Sequence, residues 1–449
     1  MANKILDKLA HGDLPLDFNW NSQTYPGIPL ESCIPLISSV QDIEIVAEDL
    51  RDGLHGISEY PSIEKMEKYV DALFKLGVRV MTVGIYPGEK NRIDKIIKEL
   101  LAYMDKKYQS VTPIVLSLAT DESMEWLGEC KKMNKNLNAI VFMGTAPSRL
   151  LVEEWERKFI LDKLAWAVDL AVRKYKVKVI GATEHTTQTP PDFLREIITT
   201  FVKNGADFFC VADTIGTARP EGAVRIVKFV KKVLHELKAN DVKVDWHGHD
   251  DLGNGVGNAL AAIGAGANRV HTVARGIGER AGNTQMEAIL LNCMEIAREK
   301  KQTLPWSPNA LEEVLKLYDE ITQIPVPSHG PLGKRAFSTS LGIHTSAMLK
   351  AKNIADESKA NKRYKKLTAR LEDMAQRIYT ALDPKSVGRK RDIYVGPWSG
   401  RSTVHLAYIG IGGNPDELTV EIIEHVLTTA KKLGRELTSE ELKKLLNNR

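Results

Sequence analysis

The sequence predicts a (β/α)8 TIM barrel followed by a mainly helical C-terminal accessory region. Three observations predict it. About eight short runs rich in β-branched residues alternate with longer amphipathic helical patterns between residues 43 and 300, the mark of βα units around a parallel sheet. That span is close to the roughly 250 residues of an eightfold barrel. No GxGxxG follows the first run, which weakens the case for an open dinucleotide-binding sheet.

Residues 1–40 mix proline, aromatic and polar residues without a sustained period and read as an extended arm, with Trp20, Tyr25 and Pro26 suited to packing on a neighbour. The barrel is expected over 41–300. Its strands are IEIVAE at 43–48, VRVMTVGI at 78–85, PIVLSL at 113–118 and AIVFMG at 139–144, then VKVIGATE at 177–184, DFFCVAD at 207–213, VKVDWH at 242–247 and NRVHTV at 268–273. Between them lie helical patterns such as 62–77, capped by Ser62 and stopped by Gly77, and 189–205, with proline in its first turn. After about residue 300 the alternation stops. Residues 300–308 and 324–333 are Pro- and Gly-rich connections, so 301–449 reads as a linker and accessory subdomains. These include a long polar helix near 355–381 and a last helix capped by Ser439.

At 449 residues the chain exceeds one average domain. Its 62 Lys plus Arg against 58 Asp plus Glu leave a formal +4, which does not point to nucleic acid but suits small anionic ligands. Cys33, Cys130, Cys210 and Cys293 are scattered without a CxxC, so a reducing compartment is expected rather than a disulfide framework or a thiolate zinc site. No window reaches the roughly 18 apolar residues of a membrane span, and no apolar leader opens the chain. The expectation is a soluble cytoplasmic protein without nucleic-acid or membrane partners.

Catalytic residues of such a barrel sit just past the carboxyl ends of its strands. This selects Arg51 and Asp52 after the first strand, Glu184 and His185 after the fifth, and Asp213 and Thr214 after the sixth. It also selects His247 and His249 at the seventh, and Glu279, Arg280 and Asn283 after the eighth. His247 and His249 stand at i and i+2, so both leave one face of a strand toward one ion. An isolated HxH is weak evidence. With Asp52 and the amide of Asn283 it becomes a mixed nitrogen and oxygen set suited to a divalent ion that keeps open positions. Taken singly, Asp52 also reads as a salt-bridged carboxylate, Asn283 as a helix cap, and Glu184 as a partner of Arg51 or a general base.

LRDG at 50–53, HGHDDLG at 247–253 and GIGERAGN at 276–283 together resemble the DRE-TIM metallolyase superfamily, in its 2-isopropylmalate and homocitrate synthase branch. Past the barrel, GIHTSAMLK at 342–350, YTALDPKSVG at 379–388 and SGRSTV at 399–404 look like that branch's subdomain motifs. The resemblance implies a Claisen-type condensation of an acyl-CoA, usually acetyl-CoA, with a 2-oxo acid, followed by thioester hydrolysis. By position it makes Asp52, His247 and His249 ligands of Mg2+, Mn2+ or Zn2+, with Asn283 at or beside the ion. Arg51 matches the arginine beside the 2-oxo oxygen, and Thr214 matches the threonine that holds the substrate carboxylate. Glu184 with His344 matches the acid-base group that forms the acetyl carbanion, and Tyr379 matches an active-site tyrosine. The resemblance also implies a homodimer in which the accessory region of one subunit covers the barrel mouth of the other, so that His344 and Tyr379 act in trans. On its own, His344 reads as a packed helix histidine. The alternatives are another oxo-acid acceptor, as in homocitrate, citramalate or citrate synthesis, a carbon-carbon lyase on the same barrel, and a non-catalytic relative.

Several positions depart from that branch. Glu48, Asp49 and His55 flank LRDG where aspartate, threonines and glutamine are usual, and the histidine motif continues as Asp250-Asp251. The glutamate that ordinarily ends strand 2 and pairs with the arginine aligns with Thr82, leaving Arg51 in need of Glu48 or Glu184. Ile180 replaces the arginine that holds a distal carboxylate in homocitrate synthases, Ile140 replaces a histidine frequent in isopropylmalate synthases, and Arg149 is a candidate for a second anionic group. A leucine-sensing carboxyl-terminal domain is not expected.

Overall fold

The structure is a computed structural model that describes residues 6–8, 10–11, 35–88 and 91–447. The arm with Trp20, Tyr25 and Pro26 lies outside the described residues. The chain forms two compact units, Pro26–Pro325 and Val326–Arg449, the second also taking in the described residues 6–8 and 10–11.

In the first unit eight parallel strands close into a barrel in sequence order. They are β1 Glu44–Ala47, β2 Val80–Ile85, β3 Thr112–Leu118, β4 Asn138–Gly144, β5 Lys178–Glu184, β6 Phe208–Asp213, β7 Lys243–Gly248 and β8 Arg269–Thr272. β1 pairs with both β2 and β8, with Val46 opposite Val80 on one side and His271 on the other. Every predicted strand is present to within two residues at either end. Side chains at alternate positions, including Val46, Val80, Ile114, Ile140, Ile180 and Cys210, fill the interior.

The first outer helix, α1 Ile63–Leu76, buries Met66, Tyr69, Val70, Leu73 and Leu76 at helical spacing. It ends at Gly77, where φ is 105° and a Cβ would meet Pro305 O at 2.9 Å. Ser62 stands at its N-cap but its hydroxyl does not cap the helix. The later helices of this unit are α2 Arg92–Lys107, α3 Asp121–Met133, α4 Pro147–Val152, α5 Arg157–Asp169, α6 Pro191–Lys203, α7 Pro220–Glu236, α8 Gly255–Gly264, α9 Met286–Lys300 and α10 Leu311–Thr322. α10 packs on α1 through Tyr318 and Tyr69, whose ring centroids are 5.3 Å apart, and through Lys75 to Glu313 at 2.9 Å.

Asp49, just beyond β1, is fully buried, and its Oδ1 accepts from Tyr69 Oη at 2.9 Å and from Ala274 N at 2.7 Å. Its Oδ2 has no hydrogen-bond partner, and burial pushes the carboxyl up to about 7. A carboxyl that holds its proton longer folded than unfolded adds stability below its ordinary pKa and loses it as pH rises through the folded value. Stability should therefore fall between about pH 4 and 7. Asp49→Asn is expected to flatten the Tm profile over that window by the equivalent of a few kcal/mol; parallel profiles would contradict the assignment.

The second unit is helical apart from a two-stranded pair, β9 Ser338–Thr339 and β10 Asp392–Ile393. Its helices are α11 Gly342–Ala360, α12 Thr368–Arg377, α13 Arg401–Gly410, α14 Val420–Leu433 and α15 Ser439–Asn447. The long helix expected near 355–381 is broken: Asn361 ends α11 and starts a 3-10 segment by accepting from Arg363 N. Thr438, rather than Ser439, caps α15, accepting from Glu441 N while Glu441 Oε2 accepts from Thr438 N at 2.8 Å. Among the described residues no helix is long and apolar enough to cross a membrane.

Candidate metal and substrate site

After β1 the chain turns through Asp52–Leu54, held by Arg51 N and Gly53 N, which both donate to Glu48 O at 3.1 Å. Tyr318 closes this turn from behind by donating to Gly53 O at 2.8 Å. A Cβ on Gly53 would lie 2.1 Å from the tyrosine oxygen, so glycine is required for the close approach. The turn aims Asp52, 2 % exposed, toward the end of β7.

There Asp52 Oδ2 lies 3.6 Å from His247 Nε2 and 3.8 Å from His249 Nε2, with the two ring nitrogens 3.4 Å apart. The in-plane centre of that triangle is about 2.1 Å from each atom, the bond length of a zinc- or magnesium-sized ion to nitrogen or oxygen. His249 Nδ1 donates to Gly282 O at 3.2 Å, which leaves Nε2 as the lone-pair nitrogen. Burial, reinforced by His249, brings His247 down to about 3, and burial lowers His249 too. Both rings are therefore neutral near pH 7. Burial works against Asp52, yet the Arg51 guanidinium beside it, above all, holds it well below the usual carboxylate range. Its Oδ1 is buried without a hydrogen bond. The donor set fits a divalent cation.

Asn283 is buried and bridges His249 in antiparallel fashion, so it does not cap α9, where Gln285 holds the N-cap position. A Cβ on Gly278, where φ is 147°, would lie 2.1 Å from Asn283 Nδ2 and 3.1 Å from Asp52 Oδ1. Gly278→Ala should therefore push both side chains apart and weaken Mn2+ binding, read by equilibrium dialysis, by about 10- to 100-fold. Wild-type affinity would show that Asn283 stands clear of the ion.

Arg51 is held by Glu48 and Asp52: its Nε donates to Glu48 Oε2 at 2.9 Å, its Nη2 is ion-paired with the same oxygen at 2.7 Å, and its Nη1 donates to Asp52 Oδ2 at 2.9 Å. Glu48 thus supplies the carboxylate that Thr82 lacks. Burial would raise Glu48, but Arg51 and His271 bring it down to about 2. Glu184 faces elsewhere, 3.6 Å from Arg149 Nε, and Arg149 also pairs with Glu153 at 2.8 Å. Thr214 Oγ1 accepts from His185 N at 2.8 Å, which leaves its own proton free to donate, and His185 pays for this contact with φ of 59°. His55 Nδ1 stands 3.4 Å from Asp52 Oδ1 and 3.3 Å from Glu279 Oε1. Asp250 accepts from Gly255 N at the start of α8, and Asp251 pairs with Arg280 at 2.9 Å, so both extra aspartates have structural partners.

In the second unit His344 lies near the start of α11 and stacks on Tyr379, with ring centroids 4.0 Å apart at 22°. Sequence reasoning did not single out Asp245, Arg269 and His271, which join Glu48 beneath the Asp52, His247 and His249 cluster. The signal was present: Asp245, His247 and His249 alternate along one strand and Arg269 and His271 along the next, so one period-two face carries all five charges or imidazoles.

A family model described as HMGL-like matches residues 42–311. A 2-isopropylmalate synthase of Carboxydothermus hydrogenoformans is 28% identical over 423 residues, 91% of this chain and 74% of that protein. Homocitrate synthase AksA of Methanopyrus kandleri is 28% identical over 417 residues, 90% of this chain and 92% of that protein. Among solved structures, hydroxymethylglutaryl-CoA lyase from Pseudomonas aeruginosa matches with a TM-score of 0.53 at 17% identity, covering 65% of this chain and 95% of that one. At that identity the likeness concerns the barrel fold alone.

Proposed function

The chain belongs to the HMGL-like family, and from that premise we propose that it is an acyltransferase that condenses acetyl-CoA with a 2-oxo acid, as a 2-isopropylmalate synthase does. Water then cleaves the thioester of the condensed intermediate, so the products are a 2-hydroxy-2-alkyl dicarboxylic acid and free CoA. The observation that carries this reading is the Asp52, His247 and His249 triangle with Arg51 hydrogen-bonded to the same aspartate. A divalent cation held there, with Asn283 beside it, would act as a Lewis acid on the carbonyl of the oxo acid.

The protein's own groups do the rest. Arg51 donates to the oxo oxygen and stabilises the alkoxide that develops on it in a water-poor site. Thr214, its proton free, donates to the substrate carboxylate. His344 takes the methyl proton of the thioester; Glu184, which faces Arg149, would turn from it to serve as the acidic partner. The stacked ring of Tyr379 holds the His344 imidazole in plane. The inner wall of β3 to β5 is apolar, through Leu116, Ile140, Phe142, Ile180 and Ala182, so the preferred acceptor is a 2-oxo acid with an alkyl side chain rather than 2-oxoglutarate.

We place His344 and Tyr379 in the active site of a second subunit, in a homodimer. Ile343 and Trp398, 73 % and 77 % exposed, support this, since Gly342 N bonds Trp398 O at 3.0 Å and thus joins them beside His344. A reducing, cytoplasmic setting accords with the free buried thiols of Cys130, Cys210 and Cys293. Thiol release from acetyl-CoA, scanned over 2-oxo acids with Mg2+, Mn2+ or Zn2+, tests the reaction. Release that requires both an alkyl 2-oxo acid and a metal is expected; no release with any acceptor would contradict it.

A further inference from the structure

Beneath the metal site the barrel interior carries a continuous chain of buried charge where such interiors are usually aliphatic. Arg269, 2 % exposed, forms a two-point pair with Asp245, 0 % exposed, at 2.8 and 2.5 Å. His271 Nε2 lies 3.4 Å from Asp245 Oδ2, and its Nδ1 lies 2.7 Å from Glu48 Oε1. Both ring nitrogens thus face carboxylates. Glu48 Oε2 then accepts from Nε of Arg51 and is ion-paired with its Nη2.

Buried ion networks seldom surpass aliphatic packing in stability, so stability alone does not account for three strands contributing to this one. Its geometry does. Glu48 accepts from Nε and Asp52 from one N–H of Nη1, with Nη2 ion-paired to Glu48, so the second N–H of Nη1 and an N–H of Nη2 remain for a ligand. Glu48 can hold that orientation only if its own carboxylate is fixed, and His271 fixes it through the other oxygen. We propose that Glu48 and His271, anchored by Asp245 and Arg269, are positioning residues that aim the guanidinium of Arg51 at the oxo acid. This rests on the reading of Arg51 as the donor to the oxo group.

The test titrates Mn2+-loaded protein with oxalate, a planar mimic of a 2-oxo carboxylate, and measures Mn2+ affinity separately. Glu48→Gln and His271→Gln should each weaken oxalate by about tenfold or more and leave Mn2+ affinity within about twofold. Combined with Arg51→Gln, neither should weaken oxalate further, because each acts through that arginine. A folded His271→Gln protein with wild-type oxalate affinity, or losses that add to that of Arg51→Gln, would overturn the inference. Should either variant fail to fold, Asp245→Asn is read by the same criteria. If wild type and Arg51→Gln bind oxalate equally, the reading of Arg51 itself fails and takes this inference with it; if only Arg51→Gln loses oxalate, the positioning chain alone fails.

Discussion

His247→Ala is expected to abolish metal-dependent turnover, lowering kcat by at least about 10³-fold, or about 4 kcal/mol of transition-state stabilisation. The ring it removes is one corner of the 3.4 to 3.8 Å triangle with Asp52 and His249. Two donors cannot replace three, and Asp52 would turn toward Arg51, which already bonds it at 2.9 Å. Metal affinity, measured by equilibrium dialysis with Mn2+, should fall in parallel while the thermal transition of the metal-free protein changes little. Unchanged affinity and activity would remove His247 from the site.

His344→Ala is the second large effect. A positioned general base contributes about 10²- to 10⁴-fold, and kcat should fall by that much with Mn2+ affinity intact, since His344 belongs to a different unit from the metal triangle. The proposed trans arrangement makes a sharper demand. Mixing Arg51→Gln with His344→Ala protein, each inactive alone, should restore up to about a quarter of wild-type activity, because half of randomly paired dimers carry one intact site. No restoration in exchanging dimers would place His344 in the active site of its own subunit.

The barrel was readable because each strand is a short β-branched run and each helix a local 3.6-residue pattern, signals confined to about twenty residues. The Asp52, His247 and His249 cluster was legible from strand ends for the same reason. What local pattern could not supply was partnership. Glu48 meets His271 across 223 positions of chain, so whether Glu48 or Glu184 would satisfy Arg51 depended on closure of the barrel, which brings β8 beside β1. Glu184, one strand end among eight by sequence, is turned toward Arg149. The smaller misreadings are competitions between neighbours: Thr438 against Ser439 for a cap, and Asn361, whose side chain bonds Arg363 N and ends a helix that composition alone would continue.

The central claim is that the Asp52, His247 and His249 site joins the acetyl methyl carbon to the carbonyl carbon of an alkyl 2-oxo acid. Acetyl-CoA labelled with 13C at the methyl carbon, incubated with 3-methyl-2-oxobutanoate and Mn2+, tests it most directly. NMR should show the label as a methylene bonded to a new carbinol carbon, formed in step with free CoA and absent when His247 is alanine. Labelled acetate with no carbon-carbon bond, for this acceptor and for pyruvate and 2-oxoglutarate alike, would contradict the account.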